Sequence, residues 1–139
     1  MLETPIESSY VSQVARIEFS DAAGAADDLT GQEISAGRVR LEIHQRVRDG
    51  VPGAVSYQGV LRTGSALIPS VKVDVVLSPW SADRTEIGIR PLSRLGRSDS
   101  FRANRFFDAA WSVLPVLVDR VESRLPVEAP SPAGLRVAA

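Results

Sequence analysis

The chain has 139 residues, of which 44% are apolar and 24% charged, with a net charge of −1 and no cysteine. That length and balance are those of one globular domain able to bury a core without covalent staples. The missing cysteines exclude disulfides and thiolate metal sites. The near-neutral charge speaks against a nucleic-acid partner, and no apolar run reaches the roughly 18 residues of a membrane-spanning helix.

The first residues, Met1-Leu2-Glu3-Thr4-Pro5-Ile6-Glu7, lack the basic and apolar regions of a signal peptide, so a cytoplasmic location is expected. Residues 1–9 show no periodicity and are expected to be a flexible N-terminus. From Tyr10 to Phe19 the pattern alternates, with Val11, Ala15, Ile17 and Phe19 on one side, which predicts a strand. Residues 20–37 are small, acidic and glycine-punctuated. Ser20 or Asp21 can cap one short helix ending at Leu29, and an ordered loop is the alternative.

Arg38 to Arg48 is the clearest strand, with Val39, Leu41, Ile43 and Val47 facing one way and a charged set facing the other. A turn at Asp49–Gly53 leads to a strand whose inward set is Val55, Tyr57, Gly59 and Leu61. Thr63-Gly64-Ser65 turns the chain again. The next strand carries Leu67, Val71, Val73, Val75 and Leu77 inward, with Pro69 marking an edge or bulge. A hairpin around Trp80 leads to a strand from Arg84 to Leu92. After an Arg-rich loop, a helix is predicted over about Phe101–Leu125, its apolar face formed by Phe107, Ala110, Leu114, Leu117, Val118, Val121 and Leu125. The Pro/Ala-rich stretch 126–139 is expected to be a disordered tail, leaving 10–125 as a single domain.

Strands followed by a long terminal helix define an α+β fold: a curved antiparallel sheet of about five strands or more, wrapped on a C-terminal helix. The carrying features are the meander from Arg38 to Leu92, the hairpin VDVVLSPWSADRTEIGIRPL and the helix RFFDAAWSVLPVLVDRVESRL. In this order of elements the chain resembles the START-like helix-grip superfamily, which includes polyketide cyclases, Bet v 1 and lipid-transfer proteins. Members usually carry two helices between the first and second strands and six strands after them. Here about 18 residues fill that gap and four strands follow, so a cavity is expected to be smaller or more open.

The resemblance implies a cleft between sheet and helix, and the first reading is non-enzymatic binding there of a small apolar or lipid-like molecule. The residues expected around it are Tyr57, Gln45, Leu41, Ile43, Val73, Phe107, Trp111 and Leu114. Tyr57 and Gln45 are the polar members of the inward sets and would orient the ligand. A buried tyrosine needs a hydroxyl partner, either a ligand or a backbone carbonyl. The alternative reading is an assembly protein that meets a second copy or another partner through a sheet edge or the Trp80 hairpin. A cyclase or dehydratase ranks third, because no inward set contains Asp, Glu or His.

Five arginines, Arg90, Arg94, Arg97, Arg102 and Arg105, crowd into 16 residues with only Asp99 to offset them. Arg94, Arg97 and Arg102 are the candidate anion contacts. His44 is the only histidine and shares the polar strand face with Glu42. With no second histidine and no cysteine, no metal and no cofactor is expected. Lys72 and Asp74 are expected on the outer, solvated strand face, available for an exposed ion pair. Phosphate-loop and nucleophile-elbow motifs do not occur in the sequence.

Overall fold

The computed structural model describes residues 10–47, 52–66, 68–92 and 101–123. Its elements run β1 (Val11–Ala15), α1 (Phe19–Leu29), β2 (Glu33–Ala36), β3 (Val39–Arg46), β4 (Val55–Arg62), β5 (Ser70–Ser81), β6 (Arg84–Pro91) and α2 (Phe101–Glu122). The strands form one sheet in the order β1-β6-β5-β4-β3-β2, with every neighbouring pair antiparallel. The sheet is a curled half-barrel and α2 packs against it, so the α+β architecture expected from the pattern is present.

Alternation explains most of the core. Leu41 and Ile43 of β3, Tyr57 and Leu61 of β4, Val71, Val73, Val75 and Leu77 of β5, and Ile87 and Ile89 of β6 are all buried in one apolar cluster. Most of the contacts α2 makes with strands are to β1 and β2, the two edges of the sheet. One helix reaches both edges only if the sheet curls around it. At roughly 1.5–3 kcal/mol per large side chain removed from water, this concave interface is the main source of stability.

Three elements differ from the periodicity reading. The first strand stops at Ala15, and Phe19 opens α1 instead of closing β1. Ile17 keeps the alternation going from a bend: it is buried, and its carbonyl accepts a 2.8 Å hydrogen bond from Thr85 Oγ1. The helix in residues 20–37 is real, but its N-cap is Glu18, not Ser20 or Asp21. The same segment also holds β2, a four-residue strand with Ile34 as its buried apolar anchor. It joins β3 through the turn at Gly37, whose φ of 61° suits glycine. Five strands therefore follow α1, where the pattern suggested four.

The buried face of α2 keeps Ala110, Leu114, Leu117, Val118 and Val121 as expected and is wider than the pattern suggests. Ala103, Phe106, Ala109, Ala110, Val113, Leu114, Leu117, Val118 and Val121 are buried, whereas Phe107 is only partly so. Phe106 and Phe107 compete for the same stripe, and the more central of the two wins. Leu125 lies outside the described residues.

The most consequential irregularity is a bulge in β3. Ile43 pairs with Gly59, but Gln45 pairs with Gln58, so His44 is an extra residue. Past the bulge the alternation is reversed. Gln45 is exposed, and Arg46 now stands opposite Tyr57. Gly59 lies in this narrowing: a Cβ built there would sit 2.3 Å from the Glu42 carbonyl oxygen. Backbone cannot give way as a side-chain tip can. Gly59→Ala is expected to destabilise the fold by about 3 kcal/mol, the upper end of overpacking effects. The check is a lower urea midpoint with an unchanged slope.

Candidate functional site

The expected ligand-contacting residues separate into two groups. Leu41, Ile43, Tyr57, Val73 and Leu114 do come together, each with no more than 1% of its surface accessible. A cavity that admits a water-sized probe leaves accessible area on its walls. These walls have essentially none, so the five side chains are packed against protein. Gln45 and Trp111 do not join them. Gln45 is carried outward by the bulge, and Trp111 points from the flank of α2 with 51% of its surface exposed. Phe107 is half-buried beside Phe106, their rings edge to face at 5.8 Å.

Tyr57 has hydroxyl partners within the chain, a carboxylate as well as a carbonyl. Its hydroxyl donates to Asp27 Oδ1 at 2.5 Å and lies 3.1 Å from the Ala23 carbonyl oxygen, both on α1. Arg46 Nη1 lies 3.5 Å from Asp27 Oδ2. Sequence reasoning missed this cluster because the bulge brings Arg46 to the concave side. The cluster pins α1 across the sheet, where Ala22, Ala25, Ala26 and Leu29 form its buried face. Three alanines let the helix backbone approach closely, and α1 thereby fills space that a longer insert would leave open.

Burial, reinforced by the hydrogen bond to Asp27, raises the Tyr57 pKa above the ordinary tyrosine value. Burial, with the Glu86 charge adding to it, pushes Tyr10 up to about 12. Both groups hold their protons more tightly folded than unfolded. Their stabilisation is therefore complete below the unfolded value near pH 10 and is lost as pH rises past it. The urea midpoint should stay level to about pH 9 and fall above pH 10. Tyr57→Phe should lower stability at neutral pH by about 1–2 kcal/mol and make that alkaline fall shallower.

Open space among the described residues lies elsewhere. A groove of about 300 Å³ runs between the sheet and the first half of α2, lined by Val39, Thr63, Gly64, Ser65, Arg105, Asp108, Ala109 and Ser112. Val39 and Ala109 are buried and give it an apolar floor. The β4–β5 connection forms one wall. Thr63 Oγ1 donates to the Ile68 carbonyl at 2.5 Å and accepts from Ser65 N at 3.0 Å, which fixes the turn. Gly64 has φ +81°, and a Cβ there would press on Arg38 at 3.1 Å, so the wall needs glycine for both backbone and space. On the other wall, the Arg105 guanidinium carbon lies 4.8 Å from the centre of the Phe101 ring.

The sequence pattern marks Thr63-Gly64-Ser65 as a turn and puts Arg105 in a basic run and, with Asp108 and Ser112, on the polar face of the helix. No motif joins them, because the groove is assembled from β3, a loop and a helix far apart in the chain. Of the candidate anion contacts, Arg102 is exposed on the first turn of α2, and Arg94 and Arg97 lie outside the described residues.

The outer face holds the remaining candidates. Glu42 accepts from Arg62 Nε at 2.7 Å and lies 3.3 Å from His44 Nε2. The Arg62 hydrogen bond first, then His44, holds its carboxyl below the usual range. His44 thus sits in a surface ladder of side chains. Asp74 was expected to be solvated on this face. It is instead 8% exposed, and Arg90 Nη2 bonds its Oδ2 at 3.0 Å. Among the described residues no cluster of three metal-ligating side chains occurs, and no helix is long and apolar enough to cross a membrane. Compared with known proteins, the chain matches no protein-family model and no curated protein.

Proposed function

We propose that this protein binds a small molecule, without transforming it, in the cleft between its curled sheet and its C-terminal helix, after the manner of START-like helix-grip proteins. The observation that carries the reading is the groove of about 300 Å³ along α2. That volume is at the lower end of small-molecule sites, and the lining is mainly polar, with Val39 and Ala109 nearly buried beneath it. With the centre of the sheet closely packed, this reading takes the site to be at the end near the β4–β5 connection. The ligand is accordingly a small amphiphile: an apolar stem over Val39 and Ala109, with polar groups at the rim.

Ser112 is an exposed helix position beside the groove floor, so a large side chain there fills the space without entering the core. Native mass spectrometry of the protein isolated from its own host should show a retained molecule of a few hundred daltons. Ser112→Trp should remove that molecule while shifting stability by no more than about 0.5 kcal/mol, as surface substitutions do. A wild-type chain that retains nothing, and responds to no member of a small-fragment library in an NMR screen, defeats the proposal.

A second reading, assembly with another copy, draws on two exposed tryptophans: Trp80 at 60% near the β5–β6 turn and Trp111 at 51% on α2. Exposed tryptophans are enriched at contact sites. This reading expects a dimer by light scattering that Trp80→Ala or Trp111→Ala dissociates. A strict monomer at high concentration removes it.

A further inference from the structure

The two charges on the helical wall of the groove have opposite sign and are left unjoined. Arg105 and Asp108 are three residues apart on α2, a spacing at which oppositely charged side chains commonly meet. Among the described residues no ion pair links them, and neither pairs with any other charge. Arg105 is engaged in another way, with its guanidinium over the Phe101 ring. A guanidinium carries five N–H donors, and no ion pair among the described residues uses those of Arg105, which leaves them to a planar anion in the two-pronged geometry that suits a carboxylate. The Ser112 hydroxyl donates to the backbone carbonyl of Asp108, not to its carboxylate. The groove therefore presents a donor edge and an acceptor carboxylate about one helical turn apart, above an apolar floor.

We infer that the ligand class of this groove is a small zwitterion, with its anionic group on Arg105, its cationic group on Asp108 and a short apolar stem between them over Val39 and Ala109. This rests on the groove being the binding site. A purely anionic ligand gains from Arg105 but is repelled by Asp108, and a purely cationic one meets the reverse. Only a molecule carrying both charges satisfies both groups. Each contact is weak on its own at an exposed rim, so the selectivity comes from making the two together. Thr63 contributes rigidity more than recognition, since its hydroxyl is already committed to Ile68 and Ser65.

Three six-carbon probes test this: 6-aminohexanoate, hexanoate and hexylamine, each titrated into the full-length chain and followed by amide NMR shifts. The zwitterion should shift amides of residues 63–65 and 105–112, with a Kd at least tenfold below that of either singly charged probe. Arg105→Gln and Asp108→Asn should each remove that tenfold advantage. Hexanoate binding as tightly as 6-aminohexanoate, or tighter binding of both in Asp108→Asn, would overturn the zwitterion in favour of an anion site. Either result would leave the small-molecule reading standing. No shift with any probe, combined with no molecule retained in native mass spectrometry, would end both.

Discussion

The last turn of α2 is tied to both margins of the sheet at once. Glu122 Oε2 accepts from the backbone N–H of Arg16, just past β1, at 2.7 Å. Arg120 Nη2 donates to Gln32 Oε1, just before β2, at 3.2 Å. These bonds are exposed, and each is a modest contribution by itself. Their importance is geometric. β1 and β2 are the first and last strands in the sheet order, and one helix end can reach both only when the sheet has closed around it. The apolar stripe from Phe106 to Val121 then belongs to the same buried cluster as Leu41, Val73 and Ile89. Curl, helix position and buried core are thus one constraint expressed three ways.

That constraint was largely legible in the chain. Alternation in β3 to β6 and the 3.6-residue period of α2 are long signals, and each sets which side faces inward before any tertiary contact is known. The short signals failed. β2 has four residues and a single buried apolar side chain, too little to register as alternation. The end of β1 was hidden because Ile17 keeps the correct parity after the strand has ended. Phe106 and Phe107 are adjacent aromatics, and only packing decides which of them enters the core.

The bulge at His44 is a different kind of failure. A period of two assumes an unbroken pleat, and one inserted residue reverses everything beyond it. Gln45 was assigned inward on that assumption and lies outward. Arg46 was assigned outward and lies within reach of Asp27. Gly59, directly opposite, was the available clue: a glycine amid Val55, Tyr57 and Leu61 marks close backbone approach. The groove left fainter traces still. Val39, Thr63–Ser65 and Arg105–Ser112 become neighbours only when β3, β4 and α2 are assembled, and no residue among them is unusual for its own element.

The same packing that fills the centre of the trough opens its end. α1 presents three alanines and a leucine, sits close to the sheet and is fastened there through Tyr57, Asp27 and Arg46. With α1 drawn in tightly, the interior at that end has no room for a guest. At the opposite end, where α2 begins, the sheet is capped by the tight Thr63–Ser65 turn and not by a second helix. Gly64 adds no side chain to that turn, and Ala109 is one of three buried alanines on the facing helix. A turn without bulk, set against a helix without bulk, leaves a gap with an apolar floor and a charged rim. The open groove therefore lies at the end where the helix enters, and the close-packed core lies in the middle of the trough.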